Sequence, residues 1–327
     1  MIVSKTPIRI SLGAGGTDLP AFYSKFGARF ATAAGSKFTY VIVNHHPEKI
    51  VWMGLNKAER VDSPDELNHN VVRKVLLMLD IQKNVEVVSV SDVQPNSGLG
   101  TSASFIVGLL NALHSYKGEF LWPQEIAEEA CYVEQRLLAE QTGKQDQYAA
   151  ALGGIIWLDI AKDGSVLPSR LRLSSEFIQE LNDHLVFYYT GTQRSSYSVQ
   201  SWHADGKAND KAIESLEMIQ KVALEIRNAL ENQDISYFGK LMGEHWRYKK
   251  QLSTVISNDD IDKVYKLAVD AGALGGNLMG AGGGGHLMLV CSDDSVKQKV
   301  QKTLMDEGLQ PVNMRFEMQG STVTDLS

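Results

Sequence analysis

In QPNSGLGTSAS, residues 94–104, two glycines and four small hydroxyl side chains stand between an alternating run and the opening of a helical pattern. Glycine admits φ > 0 and lets a ligand approach the main-chain amides, and hydroxyls at a helix start add hydrogen bonds. The successive amides of Gly98, Leu99, Gly100 and Thr101, at the head of a helix whose dipole adds partial positive charge, form a site for a phosphate chain. The hydroxyl of Ser102 is then positioned for a magnesium ion. No lysine follows the glycines, so the stretch is not a G-x-x-x-x-G-K-[ST] loop, and an ordinary loop would have the same composition.

Two further glycine-rich patches flank it in the chain. In PIRISLGAGGTDL (7–19), Arg9 lies on a short strand while Thr17 and Asp18 follow four turn residues, so polar groups can converge at one end. Asp18 could accept hydrogen bonds from the vicinal hydroxyls of a sugar; a strand followed by a plain turn is the competing reading. In NLMGAGGGGHLMLV (277–290), Gly280, Gly282 and Gly285 match G-x-G-x-x-G by letter. That fingerprint should follow a strand and open a helix, whereas here the strand-like HLMLVC follows, which disfavours a dinucleotide fold. Close packing of glycine backbone against a neighbouring loop is the expectation.

Candidate catalytic carboxylates lie in VEQRLLAEQTGKQDQYAAALGG (133–154). Glu134 sits among apolar neighbours in a helical pattern, and Asp146 precedes a short helical run whose N-terminus favours negative charge. A lone acid on a helix is usually solvated, but an ionised Asp can accept a hydroxyl proton and a second carboxylate can hold magnesium. The histidines are scattered, and adjacent His45 and His46 would point to opposite faces of a strand, so none is assigned to a metal. Cys131 and Cys291 suggest neither a disulfide framework nor a metal site, only buried thiols.

These groups need a sizeable scaffold. The chain has 327 residues, 43% of them hydrophobic, enough for two domains given that single cores stop growing near ~250–300 residues. Its 32 Lys and Arg against 39 Asp and Glu give a net charge of −7, which disfavours nucleic acid or an anionic membrane as partner. No signal peptide or membrane-length apolar run is visible, and a soluble cytoplasmic protein is expected. Strands are expected at 2–12, 37–46, 85–91, 153–160, 286–291 and 311–316, with another opening the region 181–196. Helices are expected at 63–81, opened by a capping box on Ser63 and Glu66, at 104–116, 123–138 and 259–271, near 294–306, and through much of 197–252. The change of pattern near 181 suggests domains 1–180 and 181–327.

In order and spacing, PIRISLGAGGTDL, PNSGLGTSAS and LMGAGGGGHLMLV resemble the three motifs of the GHMP kinases, which include galactokinase, homoserine kinase and mevalonate kinase. The resemblance spans nearly the whole chain and implies an α/β (α+β) two-domain fold, with a ribosomal protein S5 domain 2-like N-terminal half and a ferredoxin-like C-terminal half. It implies ATP with its phosphates on Pro95, Asn96, Ser97, Gly98, Leu99, Gly100, Thr101, Ser102, Ala103 and Ser104. It further implies Asp146 as catalytic base, Ser102 and Glu134 as ligands of Mg2+, and Arg9 beside the attacking hydroxyl. Gly16, Thr17, Asp18, Gly282 and Gly283 are expected on the acceptor side.

Galactokinases carry Glu-His before Thr-Asp in the first motif, where this chain has Gly15 and Gly16, so galactose is a poor match. GGTDLPAFY, FYYTGTQRSS, WRYKKQLS and GKQDQYAA instead resemble the heptose 7-phosphate kinase and fucokinase-like subgroup. That implies phosphorylation of an anomeric hydroxyl on a sugar or sugar phosphate, as in nucleotide-activated heptose synthesis. A phosphorylated acceptor needs a second anion site, for which Arg194 and either Lys249 or Lys250 are candidates, each with an ordinary surface role as its alternative. A non-catalytic sensor is disfavoured by the joint presence of Arg9, Ser102, Glu134 and Asp146.

Overall fold

A computed structural model describes residues 1–55, 57–191 and 210–326. Among the described residues the first sheet has eight strands, in which β1 (Ile2–Ser11) and β2 (Ala28–His45) form the central antiparallel pair. β2 runs for 18 residues because its two halves have different partners: its first part pairs with β6 (Ile155–Ile160), its last with β5 (Val85–Ser91). β3 (Val51–Gly54), β4 (Ala58–Val61) and β7 (Val166–Arg170) complete the flanks. The β1–β2 register shifts between Pro7 and Ile8, where a residue without an N–H interrupts the ladder. Beyond the shift, the N–H of Arg9 donates to the carbonyl of Leu99 (2.9 Å), tying the strand to the glycine-rich loop.

Helix α3 (Thr101–Tyr116) packs on this sheet through Ile106, Val107, Leu110 and Leu113, all fully buried. α4 (Pro123–Tyr132) and α5 (Gln145–Leu152) lie beside it, after the short α1 (Pro20–Phe26) and α2 (Asn70–Met78). His114 of α3 bridges Glu119 and Glu129, each at 2.8 Å, and these hydrogen bonds raise the imidazole pKa. After α6 (Ser175–His184), a three-stranded antiparallel sheet is formed in the order β8 (Leu185–Tyr189), β10 (His286–Val290), β9 (Gly275–Leu278). It carries α7 (Asp210–Glu231), α8 (Ile235–Gln251), α9 (Asp259–Asp270) and α10 (Asp294–Asp306). A Cβ on Gly275 would stand 2.2 Å from the carbonyl oxygen of Gly239, so glycine permits α8 to lie close on β9.

Two expectations need correction. The segment 63–81 is not one helix: Pro64–Glu66 form a single 3-10 turn, Leu67 is extended and fully buried, and α2 starts only at Asn70. Ser63 makes no side-chain cap; His69 caps α2 instead, its ring accepting from the N–H of Val72. The segment 311–316 is not a regular strand, because its hydrogen bonds are divided between the two sheets. Val312 donates to Phe187 of β8, whereas Ser36 of β2 donates to Arg315 and Glu317 donates to Ala34. The last strand is instead β11 (Thr322–Asp325), which returns to the edge of β1. Among the described residues, no helix is long and apolar enough to cross a membrane.

Candidate active site

Gly100, in the left-handed region at φ 71°, precedes α3 and provides no side-chain cap. The first amides of the helix therefore have no partner within it and face outward with the positive end of the dipole. The hydroxyls of Ser97 and Thr101 are buried there without a protein partner, and Ser102 is exposed in the first turn. Two glycine contacts hold the loop against residues 277–286. A Cβ on Gly98 would fall 2.5 Å from the carbonyl oxygen of Met279, and one on Gly280 would fall 2.6 Å from the Cα of Gly98. His286 Nδ1 meets the carbonyl oxygen of Ser97 at 2.9 Å, adding a polar tie to the same junction. The glycines of the third patch thus serve backbone packing, as their sequence context suggests.

Asp146 enters from the first turn of α5 and touches the loop, since a Cβ on Gly100 would lie 2.9 Å from its Oδ2. Arg9 Nε donates to Asp146 Oδ1 at 2.7 Å and its Nη2 to Oδ2 at 3.1 Å, while Nη1 donates to the carbonyl of Gly98 at 2.9 Å. A residue of β1 and one of α5, 137 positions apart, are thereby locked in one plane at the mouth of α3. Such a two-donor fork fixes orientation as well as distance.

Glu134 approaches through an unusual local geometry. α4 continues into one π turn, Val133–Leu137, closed by the N–H of Leu138 on the carbonyl of Val133. π turns recur at functional sites because the wider turn redirects side chains; here Glu134 is turned inward and is 3% exposed. Gln147 Nε2, one residue beyond Asp146, donates to the Glu134 carboxylate. Asp18 reaches the same region, its Oδ2 accepting from the N–H of Gln145 at 3.1 Å.

Arg9, Asp18, Glu134 and Asp146 line one cleft of about 420 Å³ with Gly98, Gly100, Thr101, Ser102 and Lys249. Two family models match the chain, GHMP kinases N terminal domain over residues 69–154 and GHMP kinases C terminal over 226–308, together just over half of its length. The chain belongs to the GHMP kinase family. It is 29% identical to the D-glycero-alpha-D-manno-heptose 7-phosphate kinase of Campylobacter jejuni, covering 94% of each chain. A crystal structure of a D-glycero-D-manno-heptose 1-phosphate kinase from Bacteroides thetaiotaomicron superposes over the full length of both chains with a TM-score of 0.83 at 23% identity. Lactococcus lactis galactokinase, complexed with galactose, has the same fold with a TM-score of 0.75 at 17% identity, over 99% of this chain and 95% of the other. The two-domain fold is therefore that of the GHMP kinases.

Within this GHMP kinase the expected residues divide by position. Asn96, Ser97, Ala103, Gly16 and Gly282 line the cleft with the groups above. Thr17 is fully buried and donates to the carbonyl of Ala14 at 2.7 Å, and Ser104 donates to the carbonyl of Pro7 at 2.8 Å, so both side chains hold the frame. Leu99 packs into the core, Pro95 is exposed, and the N–H of Gly283 donates to Ile256. Arg194 lies outside the described residues. Lys250 pairs with Asp262 at 2.8 Å away from the cleft, whereas Lys249 is inside it.

Electrostatics sharpen the picture. Burial, followed by the charge of Asp146, pushes the carboxyl of Glu134 up to about 8 and that of Asp18 up to about 6. A hard cation beside Glu134 would reverse the first of these penalties, and oxygen donors such as a carboxylate and a hydroxyl suit magnesium with phosphates and water completing the shell. Glu134 and Ser102 thus fit the ion. Among the described residues no group of three His, Cys, Asp or Glu side chains forms a self-sufficient metal cage. The two cysteines are buried and free, and burial raises both thiols, Cys291 to about 11.

Sequence reasoning missed Gln147 and Lys144. Lys144 Nζ donates to the carbonyl of Gly164 at 2.6 Å and meets Glu128 at 3.4 Å, anchoring the residue just before α5. The available signal was the polar run GKQDQ around Asp146, four of whose five residues line the cleft while the fifth, Lys144, supports it.

Proposed function

We propose that this GHMP kinase transfers the γ-phosphoryl group of ATP to the anomeric hydroxyl of D-glycero-D-manno-heptose 7-phosphate, giving the 1,7-bisphosphate. The observation that carries the chemistry is the Arg9–Asp146 fork held against Gly100 at the N-terminus of α3. It joins a phosphate site to a carboxylate on a single rigid base, as in-line phosphoryl transfer requires. The sugar assignment is supported by the Campylobacter jejuni relative and by Gly15 and Gly16 in the first motif. A division at about residue 180 is supported by sheet membership among the described residues, with β11 crossing back.

In this mechanism the amides at 98–103 receive the phosphates. Arg9 uses two donors to fix the carboxylate of Asp146, whose remaining lone pairs accept the hydroxyl proton of the acceptor. The oxygen of that hydroxyl then forms the new bond to phosphorus as the bond to the ADP oxygen breaks. Arg9 also faces the charge that develops on the transferred group. Magnesium, held by Ser102 and Glu134, supplies charge neutralisation on the phosphates when bound. Asp18 accepts from the acceptor's other hydroxyls.

ADP release measured over free hexoses, fucose, heptoses and their terminal phosphates tests the substrate, and phosphorus NMR of the product tests the position. Fastest turnover with the heptose 7-phosphate and a new anomeric phosphate are expected; preferred turnover of unphosphorylated fucose would favour the fucokinase-like reading. Asp146→Asn is expected to lower kcat on the order of 10²–10⁴-fold while nucleotide affinity is kept. An unchanged kcat would remove Asp146 from the role of base.

A further inference from the structure

Lys249 ends α8 in the cleft wall and is only 4% exposed. Its Nζ donates to the carbonyls of Leu278 and Gly280, each at 2.7 Å. One of its three N–H donors remains. Among the described residues no carboxylate lies within 4.0 Å of it, whereas the neighbouring Lys250 is paired with Asp262. The Trp246 ring, 5.9 Å from Nζ to its centroid, offers little compensation. Carbonyl dipoles and the more distant Asp18 stabilise the ammonium only in part, so a buried cation with no counterion in contact carries a cost that an arriving anion removes.

The position also has a direction. Gly280, whose carbonyl Lys249 holds, packs against Gly98 of the phosphate loop, and Lys249 shares the cleft with Arg9 and Asp18. Arg9 spends three of its five donors on Asp146 and Gly98 and has the Asp146 carboxylate as its counterion, so among the described residues lining the cleft Lys249 is the cation with no carboxylate in contact. Burial, reinforced by Arg9 and only partly opposed by Asp18, lowers its pKa to about 7.

We propose that Lys249 is a phosphoryl-oxyanion site in the cleft, its ammonium taking an oxygen of a dianionic phosphate that enters with substrate. The phosphate has two possible sources, the terminal phosphate of the acceptor or the transferred group of the nucleotide. This deepens the kinase reading and rests on it for the choice of ligands.

Calorimetry distinguishes the sources with four probes: D-glycero-D-manno-heptose 7-phosphate, the unphosphorylated heptose, magnesium–AMP-PNP and magnesium–ADP. Lys249→Met removes the charge at similar length, Lys249→Gln removes it while keeping two N–H donors for the carbonyls, and Lys249→Arg restores it. If the acceptor is the source, both neutral variants weaken heptose 7-phosphate at least tenfold, leave the free heptose unchanged, and are rescued in part by arginine. If the nucleotide is the source, AMP-PNP weakens at least tenfold while ADP does not. Unchanged affinity for all four probes, or an equal loss for all four, would overturn the proposal and leave Lys249 as a prop for the Gly280 turn. Should Lys249→Met not fold, Lys249→Gln decides by the same criteria. Absence of turnover in the wild type would defeat the kinase reading, whereas these affinities judge the oxyanion site independently.

Discussion

Glu134 shows how the cleft trades stability for chemistry. Its folded pKa, raised to about 8 from an ordinary 4.5, lies above that of the unfolded chain. The associated stability is therefore whole below about 4.5 and is lost as pH rises through 8. Glu134→Gln abolishes this titration. The magnesium-free variant should melt with the parent at the acid end and progressively above it as pH rises from about 4.5 to about 8, the gap levelling off beyond, by roughly 2–4 °C for each kcal/mol recovered. The same variant should lose magnesium-dependent turnover. Melting curves that keep a constant gap across this range would show that burial of the Glu134 charge is not the source. Arg9, Asp146 and Glu134 were legible as candidates because acids and an arginine beside glycine-rich motifs have few other uses together. Lys144 and Gln147 were not, because their value lies in contacts with Gly164 and Glu134 that no local pattern encodes.

At the scale of elements, the junction between the loop at 94–104 and the turn at 277–286 depends on bare backbone. Gly280 has φ 78° and meets the Cα of Gly98, whereas Gly308 has φ 86° and open space around it. Alanine at either position meets the left-handed strain, but only at Gly280 does it also meet main chain. Gly280→Ala should cost about 1–3 kcal/mol and weaken nucleotide binding, while Gly308→Ala should cost less and leave binding alone. Urea denaturation and nucleotide titration check this; equal costs would contradict the packing account. Helices α3 and α10 were legible from apolar spacing, and close packing of 277–290 from its failed fingerprint context. The break within 63–81 was not, since burial of Leu67 in an extended conformation is a tertiary effect that overrides a good capping pattern. Pro311 offered a hint about 311–316, but the division of its hydrogen bonds between two sheets appears only once both exist.

At the scale of the whole molecule, the segment 311–317 lies between β8 and β2 and ties the two sheets together, and β11 returns to β1. The loop at 94–104 belongs to the first sheet's helices and Lys249 to the second sheet's, so the cleft is built where the two meet. A structure of the protein with magnesium and AMP-PNP tests the central claim most directly. The account predicts the triphosphate on the amides of 98–103, its terminal phosphate facing Asp146 and its magnesium between Ser102 and Glu134. A triphosphate bound in another crevice, with Asp146 remote from the terminal phosphate, would contradict it.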